Sequence, residues 1–403
     1  MFERPYYLDR LKRLRGTGLV KVLTGMRRAG KSGILRLLET HLLEEGVEPP
    51  SILFINLELI ENAHLCDAAQ LRSYLFAHAT AEGTAYVLLD EAQQVPGIGQ
   101  VAFDLLEAGT FDLYLTGSHS SLVERELADI MSGRYVELPV LPLSFAEYYA
   151  AHDLTRGRTS DAQLFQRYLT NGGLPQTLLL EDDPFALREY LDSVYHTVVR
   201  RDVAGSLGHE DPLLLDAITR NLLQGVGSPT SANGISRTLE STGQRCSDDT
   251  VSRYVGALEN AYAFSRMRRQ DLRTGTILKT QEKIYATDLG MSTALIGPQG
   301  GAHLAGKLEN VVFLELMRRY KRVHAAKHYN RQITFVAEGA KGREYVQVVP
   351  SVLDPKVLSQ ALAPLEAERD NYPKTLLSLD EVGVGSHRGI VQRNLIEWLL
   401  DVA

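Results

Sequence analysis

Short apolar runs alternate with helical patterns through the first third of the chain. The apolar runs predict five strands, at residues 20–24, 51–57, 85–90, 111–116 and 135–138. Apolar positions at helical spacing predict a helix from Lys31 to about Glu44, between the first two strands. Strands that are apolar along their length need cover on both faces, and helices between them supply it. The pattern therefore predicts an α/β fold with a parallel sheet.

The pattern becomes helical from about residue 143. Helices are expected at residues 145–152, 162–169 and 185–203, with a sharp break at the Gly-Gly-Leu-Pro of residues 172–175. Three more helices, at 213–223, 231–239 and 248–261, precede two strand-like stretches at 264–268 and 276–286. Three helices followed by a hairpin is the order of a winged helix-turn-helix.

A Gly- and Pro-rich stretch at residues 297–301 separates a last unit from the rest. That unit opens with a helix at 304–320 and continues with strand-like stretches at 332–337 and 344–349. A chain of 403 residues is too long for one ordinary core. We therefore expect four domains, which span residues 1–142, 143–207, 208–296 and 297–403.

Composition narrows the class of protein only slightly. The sequence has no apolar run near the ~20 residues that span a bilayer, and its first residues have no apolar signal core. Two distant cysteines, Cys66 and Cys246, fit a reducing compartment. We therefore expect a cytoplasmic protein with no membrane partner. The formal net charge of −7 argues against a general affinity for nucleic acid but permits a local basic face.

The turn after the first strand matches the pattern G-x-x-x-x-G-K-[ST], from Gly25 to Ser32. Glycines let backbone N–H groups surround phosphates, and the following helix adds its positive end. Lys31 is expected to reach the β- and γ-phosphates, and the Ser32 hydroxyl to bind Mg²⁺. Arg27 and Arg28 either contact phosphate or pair with acids. The predicted nucleotide contacts are Gly25, Arg27, Arg28, Ala29, Gly30, Lys31, Ser32 and Gly33.

Two carboxylates end the third strand, at Asp90 and Glu91. Asp90 is placed to hold Mg²⁺ through water, and Glu91 to polarise the attacking water. Taken alone, the pair fits solvated acids at a strand end equally well, but the phosphate-binding turn favours a catalytic role. The N-K-x-D segment that reads guanine is absent from the sequence, which favours ATP over GTP.

Polar residues at two further strand ends are candidates for the same site. Thr116 and Ser118 lie at the end of the fourth strand, where a hydroxyl can sense the γ-phosphate, orient water or simply end the strand. Arg134 precedes the fifth strand. In an oligomer, an arginine at that edge can complete the site of a neighbouring subunit, and otherwise it is a surface arginine.

These motifs, taken in order, resemble a known family. Residues 25–32, Leu-Leu-Asp-Glu-Ala-Gln at 88–93, Leu-Thr-Gly-Ser at 115–118, Ser-Gly-Arg at 132–134 and Leu-Pro-Leu-Ser-Phe-Ala-Glu-Tyr at 141–148 are similar to prokaryotic AAA-type ATPases whose C-terminal half is a domain of unknown function. Segments at 171–175, 198–202 and 284–290 fit as well. The resemblance implies an AAA+ core, a helical lid, a winged helix and a restriction-endonuclease-like C-terminal domain. It also places Tyr7 near the adenine.

The last domain lacks the residues that such nucleases use. In the family alignment, Thr334 replaces a metal-binding Asp, Gln347 a Glu, and Val349 a Lys. Neutral Thr and Gln are poor magnesium ligands beside carboxylates, and Val donates nothing. We therefore expect a nuclease-like fold without nuclease activity, unless the strands are misaligned.

Two basic runs bear on a DNA partner. The predicted wing carries Arg266, Arg268, Arg269, Arg273, Lys279 and Lys283, and a second run comprises Arg318, Arg319, Lys321 and Arg322. Both suit phosphate contacts, although a winged helix also serves as a protein-binding module. The favoured hypothesis is an oligomeric ATPase that acts on DNA. The alternative is a nucleotide-dependent switch that binds a protein partner.

Overall fold

The computed structural model describes residues 2–79, 83–156, 159–208, 211–272, 274–298, 300–328, 331–340 and 342–401. The chain divides into two compact units. The first runs to Pro142 and includes Asn260–Tyr262, and the second comprises Leu143–Glu259 and the chain from Ala263 onward. In the described part of the chain, no helix combines the length and apolar character that a membrane crossing requires.

The first unit is built on a five-stranded sheet. Its strands are β1 Val20–Thr24, β2 Ile52–Asn56, β3 Ala85–Asp90, β4 Phe111–Gly117 and β5 Tyr135–Pro139. They lie in the order β2-β3-β4-β1-β5, and every neighbouring pair is parallel. The helices are α1 Pro5–Leu14, α2 Lys31–Glu44, α3 Ala68–His78 and α4 Ile98–Ala108. The predicted α/β fold with a parallel sheet is confirmed.

Burial explains why these strands are visible in the sequence. Every residue of β1, β3 and β4 is buried, so that the central strands are apolar along most of their length. The order also places β1 beside β4 rather than beside β2. In a parallel sheet, ligands bind beyond the carboxyl ends of the strands, where such a change of order opens a crevice. The site is therefore expected after Thr24, Asp90 and Gly117.

The second unit begins with helices. These are α5 Phe145–Arg156, α6 Asp161–Asn171, α7 Pro175–Leu179, α8 Pro184–Tyr195, α9 Ala204–Leu207, α10 Pro212–Gln224, α11 Ala232–Ser241 and α12 Asp248–Asn260. A π-helical stretch, His196–Val203, joins α8 to α9. Later helices are α13 Gly290–Ile296, α14 Leu304–Arg319, α15 Pro355–Ala367 and α16 Leu395–Leu400.

One sheet of nine strands runs through the second unit. The strands are β6 Pro229–Thr230, β7 Phe264–Asp271, β8 Ile277–Ala286, β9 Arg322–His328, β10 Arg331–Gly339, β11 Gly342–Val348, β12 Lys374–Ser378, β13 Gly385–His387 and β14 Ile390–Asn394. Their order is β13-β14-β12-β11-β10-β9-β7-β8-β6. The predicted wing hairpin, β7–β8, pairs in parallel with β9. The sheet therefore crosses the boundary expected at residue 296, because the edge of the hairpin gains hydrogen-bond partners there.

Two of the family-like segments meet around a buried carboxylate. Asp288 is 2% exposed, and its side chain accepts hydrogen bonds from the N–H groups of Gly173 (2.7 Å) and Gly290 (2.8 Å). Gly172 has φ +78°, and a Cβ there would overlap the Asp288 carboxylate. Burial raises the pKa of Asp288 to about 6, although the backbone hydrogen bonds act against the shift. The glycine turn and the Asp288 segment are therefore one structural element.

Candidate active site

The loop between β1 and α2, residues 25–30, is shaped by its glycines; we call it the P-loop. Gly25 has φ +147°, and a Cβ there would clash with the Val140 carbonyl oxygen. Gly30 has φ +102° and precedes the first residue of α2, Lys31. Because Gly30 has no side chain to cap the helix, the first N–H groups of α2 remain available to an anion. The geometry is that of a phosphate-binding turn.

The Lys31 side chain lies inside this turn. Its ammonium donates to the carbonyl oxygens of Gly25 (2.9 Å) and Met26 (3.1 Å), and it lies 3.9 Å from a Glu91 carboxylate oxygen. Burial lowers the pKa of Lys31, whereas the Glu91 and Asp90 carboxylates act in the opposite direction. The ammonium therefore stands between the loop and the acids at the end of β3.

Asp90 is the last residue of β3, and polar groups surround it. Thr116 Oγ1 donates to Asp90 Oδ1 (2.7 Å), and Asn56 Nδ2 donates to Oδ2 (3.1 Å). Burial raises the pKa of Asp90, although hydrogen bonds from Thr116 and Ser32 act against this shift. The Ser32 hydroxyl and the Asp90 carboxylate are thus neighbours, and both offer the oxygen donors that Mg²⁺ prefers. The residues fit a magnesium ion.

Glu91 is held in an uncommon backbone conformation. Its φ is +57°, and its N–H donates to Thr116 Oγ1 at 2.8 Å. Its carboxylate accepts from Ser118 Oγ (2.6 Å) and from the Gln93 amide. Burial would raise the pKa of Glu91, but the Lys31 charge and the hydrogen bonds from Ser118 and Gln93 outweigh it and lower the pKa. The Glu91 carboxylate is therefore ionised at neutral pH.

The two candidate hydroxyls at the end of β4 contact different acids. Thr116 links the Asp90 carboxylate to the Glu91 backbone, whereas Ser118 binds the Glu91 carboxylate. Both are buried, with 0% exposure for Thr116 and 4% for Ser118. The pairing of β3 with β4 brings them to the acids. The buried Glu91 carboxylate, the Lys31 ammonium and the candidate magnesium ligands Ser32 and Asp90 thus lie together at the carboxyl edge of the sheet.

Comparison with known proteins supports the interpretation of this edge of the sheet as a nucleotide-binding site. A family model described as an AAA domain matches residues 17–149, and a model described as a domain of unknown function (DUF8612) matches residues 162–300. An uncharacterized protein of Haemophilus influenzae is 32% identical over 402 residues, which is 99% of each chain. The uncharacterized protein MJ1544 of Methanocaldococcus jannaschii is 25% identical over 346 residues, 82% of this chain and 74% of its own.

Among solved structures, the Walker-type ATPase PABY2304 of Pyrococcus abyssi matches with a TM-score of 0.51 at 14% identity. The match covers 73% of this chain and 96% of that chain. At this identity the match shows the fold alone. Together with the P-loop and its acids, these comparisons decide the family. The chain belongs to the AAA-type ATPases.

The remaining predicted nucleotide contacts of this AAA-type chain differ in their burial and in their contacts. Arg27 pairs with Glu58 (2.7 Å), whereas Arg28 is exposed with φ +68°. Ala29 is fully buried, and a Cβ at Gly33 would meet no heavy atom within 4 Å. For Arg27, the structure therefore shows the acid pairing that the sequence left open.

Tyr7, which the resemblance places near adenine, is 1% exposed. Its hydroxyl accepts a hydrogen bond from the Leu141 N–H (3.0 Å). The ring therefore has a structural contact within the AAA-type core, and its contact with adenine stays a prediction.

Arg134 lies at the opposite edge of the sheet from the P-loop. Its carbonyl accepts from the Val20 N–H (3.0 Å) at the start of β1, whereas the P-loop follows the end of β1. A five-residue strand spans about 16 Å, so the backbone of Arg134 is about that far from its own P-loop. Its guanidinium pairs with Glu107 and is half exposed. Arg134 therefore lies away from the P-loop of its own subunit, its pairing with Glu107 is that of a surface arginine, and a role in a neighbouring subunit stays a prediction.

Two residues of the site were not predicted from the sequence. Asn56 ends β2 and donates to Asp90, and Gln93 donates to both Glu91 and Ser118 (3.1 Å). The sequence did carry a signal for both residues, because Asn56 is the last residue of the apolar strand β2 and Gln93 lies three residues beyond the apolar strand β3. What the sequence lacked was the strand order that brings Asn56 beside Asp90.

The nuclease-like positions are neighbours in the second unit. Gln347 Oε1 accepts from the Thr334 N–H (3.0 Å), and Val349 follows β11 directly. Among the residues that the structure describes, no three His, Cys, Asp or Glu side chains group as metal ligands. The observed strands place Thr334 and Gln347 side by side, and a nuclease-like domain without nuclease activity stays a prediction.

Several cations of the predicted wing are engaged inside the unit. Arg266 pairs with Glu259 (2.9 Å) and Glu282 (2.7 Å), and Lys283 with Glu309 (2.6 Å). Arg269 is buried, whereas Arg268 is exposed. Arg273 and the side chain of Lys279 lie outside the described residues. The wing thus offers a phosphate backbone less positive charge than the sequence indicates.

The second basic run is likewise partly neutralised. Arg318 and Arg319 both pair with Glu315, at 3.3 and 2.7 Å. Arg319 also donates to the Trp398 carbonyl (3.1 Å) and lies over the Trp398 ring. These contacts hold the two arginines within the second unit, which weakens the case for a continuous DNA-binding strip.

Proposed function

We propose that this protein hydrolyses ATP with Mg²⁺ at the carboxyl edge of its first sheet. The observation that carries the proposal is the hydrogen-bonded set of Glu91, Ser118 and Thr116, which lies beside Lys31 and the P-loop. Each part has a use in phosphoryl transfer, in which catalysis consists of positioning and charge stabilisation.

The residues divide the work by their chemistry. The N–H groups of the P-loop and the Lys31 ammonium hold the β- and γ-phosphates. Ser32 and Asp90 hold the magnesium ion, which neutralises charge on the phosphates when bound. Glu91 accepts the proton of the attacking water, and Ser118 keeps its carboxylate aimed and ionised. The low pKa of Glu91 ensures that this base is available at neutral pH.

The proposal includes an oligomer. Arg134 is half exposed at the edge of the sheet opposite its own P-loop, and this exposure supports a role for its guanidinium in a second subunit. An arginine supplied in this way stabilises charge that develops during phosphoryl transfer. The second unit is proposed to combine a helical lid, a winged helix and a nuclease-like domain without nuclease activity, and to act on DNA.

A second candidate is a nucleotide-dependent switch that binds a protein. The specific observation in its favour is the pairing of Arg266 with two glutamates and of Lys283 with Glu309, which uses cations that DNA would need. ATP would then be cleaved slowly, and the nucleotide state would set how the second unit meets its partner.

The test is ATP turnover by wild type, Lys31→Ala and Glu91→Gln, with and without single-stranded, duplex and branched DNA. Glu39→Gln is the matched control, because Glu39 lies on α2 and pairs only locally, with Arg36 (3.0 Å). Loss of turnover in the two site variants alone supports the chemistry. Turnover that survives Lys31→Ala refutes it. Stimulation by DNA supports action on DNA, whereas slow turnover indifferent to every DNA favours the switch.

A further inference from the structure

The P-loop packs against the last residues of the first unit. The Val140 N–H donates to the Thr24 carbonyl at 2.6 Å, and the Val140 carbonyl lies where a Cβ of Gly25 would be. Pro142 is the final residue before the chain enters the second unit. We call residues 140–142 the exit segment. The exit segment thus packs directly against the start of the P-loop, at Thr24 and Gly25.

A buried arginine bridges these two segments. Arg4 is 3% exposed, and its guanidinium donates to the Ala29 carbonyl (3.1 Å) and to the Leu141 carbonyl (2.8 Å). It also lies over the Tyr7 ring, 4.7 Å from the centroid. The Tyr7 hydroxyl in turn accepts from the Leu141 N–H. One side chain therefore holds the P-loop and the exit segment together.

The bond to Ala29 has a consequence for the phosphate site. In a planar trans peptide, the C=O and the following N–H point in opposite directions. Because Arg4 holds the Ala29 carbonyl, the Gly30 N–H is turned away from Arg4. Gly30 tolerates most backbone conformations, so this peptide would rotate easily without the bond. A rotated peptide would present a carbonyl oxygen, which repels phosphate, in place of an N–H donor.

We propose that Arg4 is a positioning residue that fixes the Ala29–Gly30 peptide for phosphate binding and couples the P-loop to the exit segment. ATP binding then tightens the exit segment through the Arg4 bridge. A guanidinium suits this role because its planar fork reaches two carbonyls at once, which the ammonium of lysine does less well. The inference rests on the proposed binding of ATP.

The first measurement is the affinity of the full chain for a fluorescent N-methylanthraniloyl ATP. We expect Arg4→Ala to weaken binding roughly tenfold, as loss of a hydrogen bond from a charged donor implies. Arg4→Lys should fall between Arg4→Ala and wild type. Arg10→Ala is the matched control, because Arg10 lies on α1, close to Arg4 in the chain, and donates to the Tyr6 hydroxyl (2.8 Å), over whose ring it stacks.

The second measurement is hydrogen–deuterium exchange of the exit segment, with and without saturating ATP. We expect ATP to slow exchange in wild type and in Arg10→Ala, but not in Arg4→Ala, since a purely structural role would leave the ATP dependence unchanged. Circular dichroism checks folding, and Arg4→Lys carries the comparison if Arg4→Ala is unfolded.

Wild-type affinity in Arg4→Ala, or exit-segment protection by ATP that persists in it, would overturn the inference alone. A wild-type chain that binds no ATP would instead refute the proposed function, and this inference with it.

Discussion

Replacing Thr116 with valine removes the hydroxyl that joins the two acids of the site. Valine keeps the shape and the β-branch, so the strand is preserved. The variant loses a donor to Asp90 Oδ1 and an acceptor for the Glu91 N–H, both in a position with 0% exposure. The Glu91 N–H is then left without the partner that it has in the wild type.

The size of the effect follows from these two bonds. An unsatisfied buried donor costs about 1–3 kcal/mol, and a bond to a charged group contributes about 1.5–3 kcal/mol. Because the bonds share one hydroxyl, we expect a loss of about 3 kcal/mol of unfolding free energy rather than the full sum. The pKa of Asp90 should also rise, since Thr116 acts to lower it. Mg²⁺ should therefore be required at higher concentration.

The assay is urea unfolding together with ATP turnover as a function of Mg²⁺. Thr116→Ser is the matched control, because it keeps the hydroxyl and loses only a buried methyl, worth about 1 kcal/mol. We expect the serine variant to keep the Mg²⁺ dependence of the wild type. A valine variant that is as stable as the serine variant, with an unchanged Mg²⁺ requirement, would refute this account of the site.

Three further outcomes are expected. Ser118→Ala should lower kcat about tenfold and shift the acidic limb of the kcat–pH profile upward, because Ser118 lowers the pKa of Glu91; an unmoved limb would contradict this. Arg134→Ala and Lys31→Ala, each inactive alone, should recover turnover when mixed if Arg134 acts in a neighbouring subunit, and no recovery would exclude that role. The folded-state pKa of Asp288, about 6, exceeds its ordinary 3.8. The protonated Asp288 side chain therefore adds on the order of 3 kcal/mol to the free energy of unfolding. This contribution is complete below pH 4 and is lost as the pH rises through 6. Asp288→Asn should flatten the pH dependence of urea unfolding in this range, and an unchanged slope would count against the buried carboxylate.

The sequence by itself determined the features that depend on neighbouring residues. The P-loop can be recognised in the sequence because Gly25 and Gly30 adopt backbone conformations that other residues avoid. The central strands can be recognised because both of their faces are buried, which makes them apolar along most of their length. Asp90 and Glu91 can be recognised in the sequence because two adjacent carboxylates at the end of an apolar strand lie at the edge of a parallel sheet where ligands bind.

Only the tertiary structure decided which side chains meet across the sheet. The contacts of Asn56 with Asp90 and of Thr116 with Glu91 depend on strand order and register, which local patterns do not encode. The position of Arg134 also depends on the fold. The sequence alone makes Arg134 a candidate site residue, but in the structure it lies a strand's length from its own P-loop.

The pairing of charges was also decided by the fold. Counting cations predicted a basic wing, but Arg266 and Lys283 find glutamates from other elements. The hairpin β7–β8 likewise joins the C-terminal strands, although its own sequence ends cleanly at a turn. The physical reason is common to these cases: a charge or a strand edge is satisfied by whatever partner the fold brings close, and that partner lies on another helix or strand.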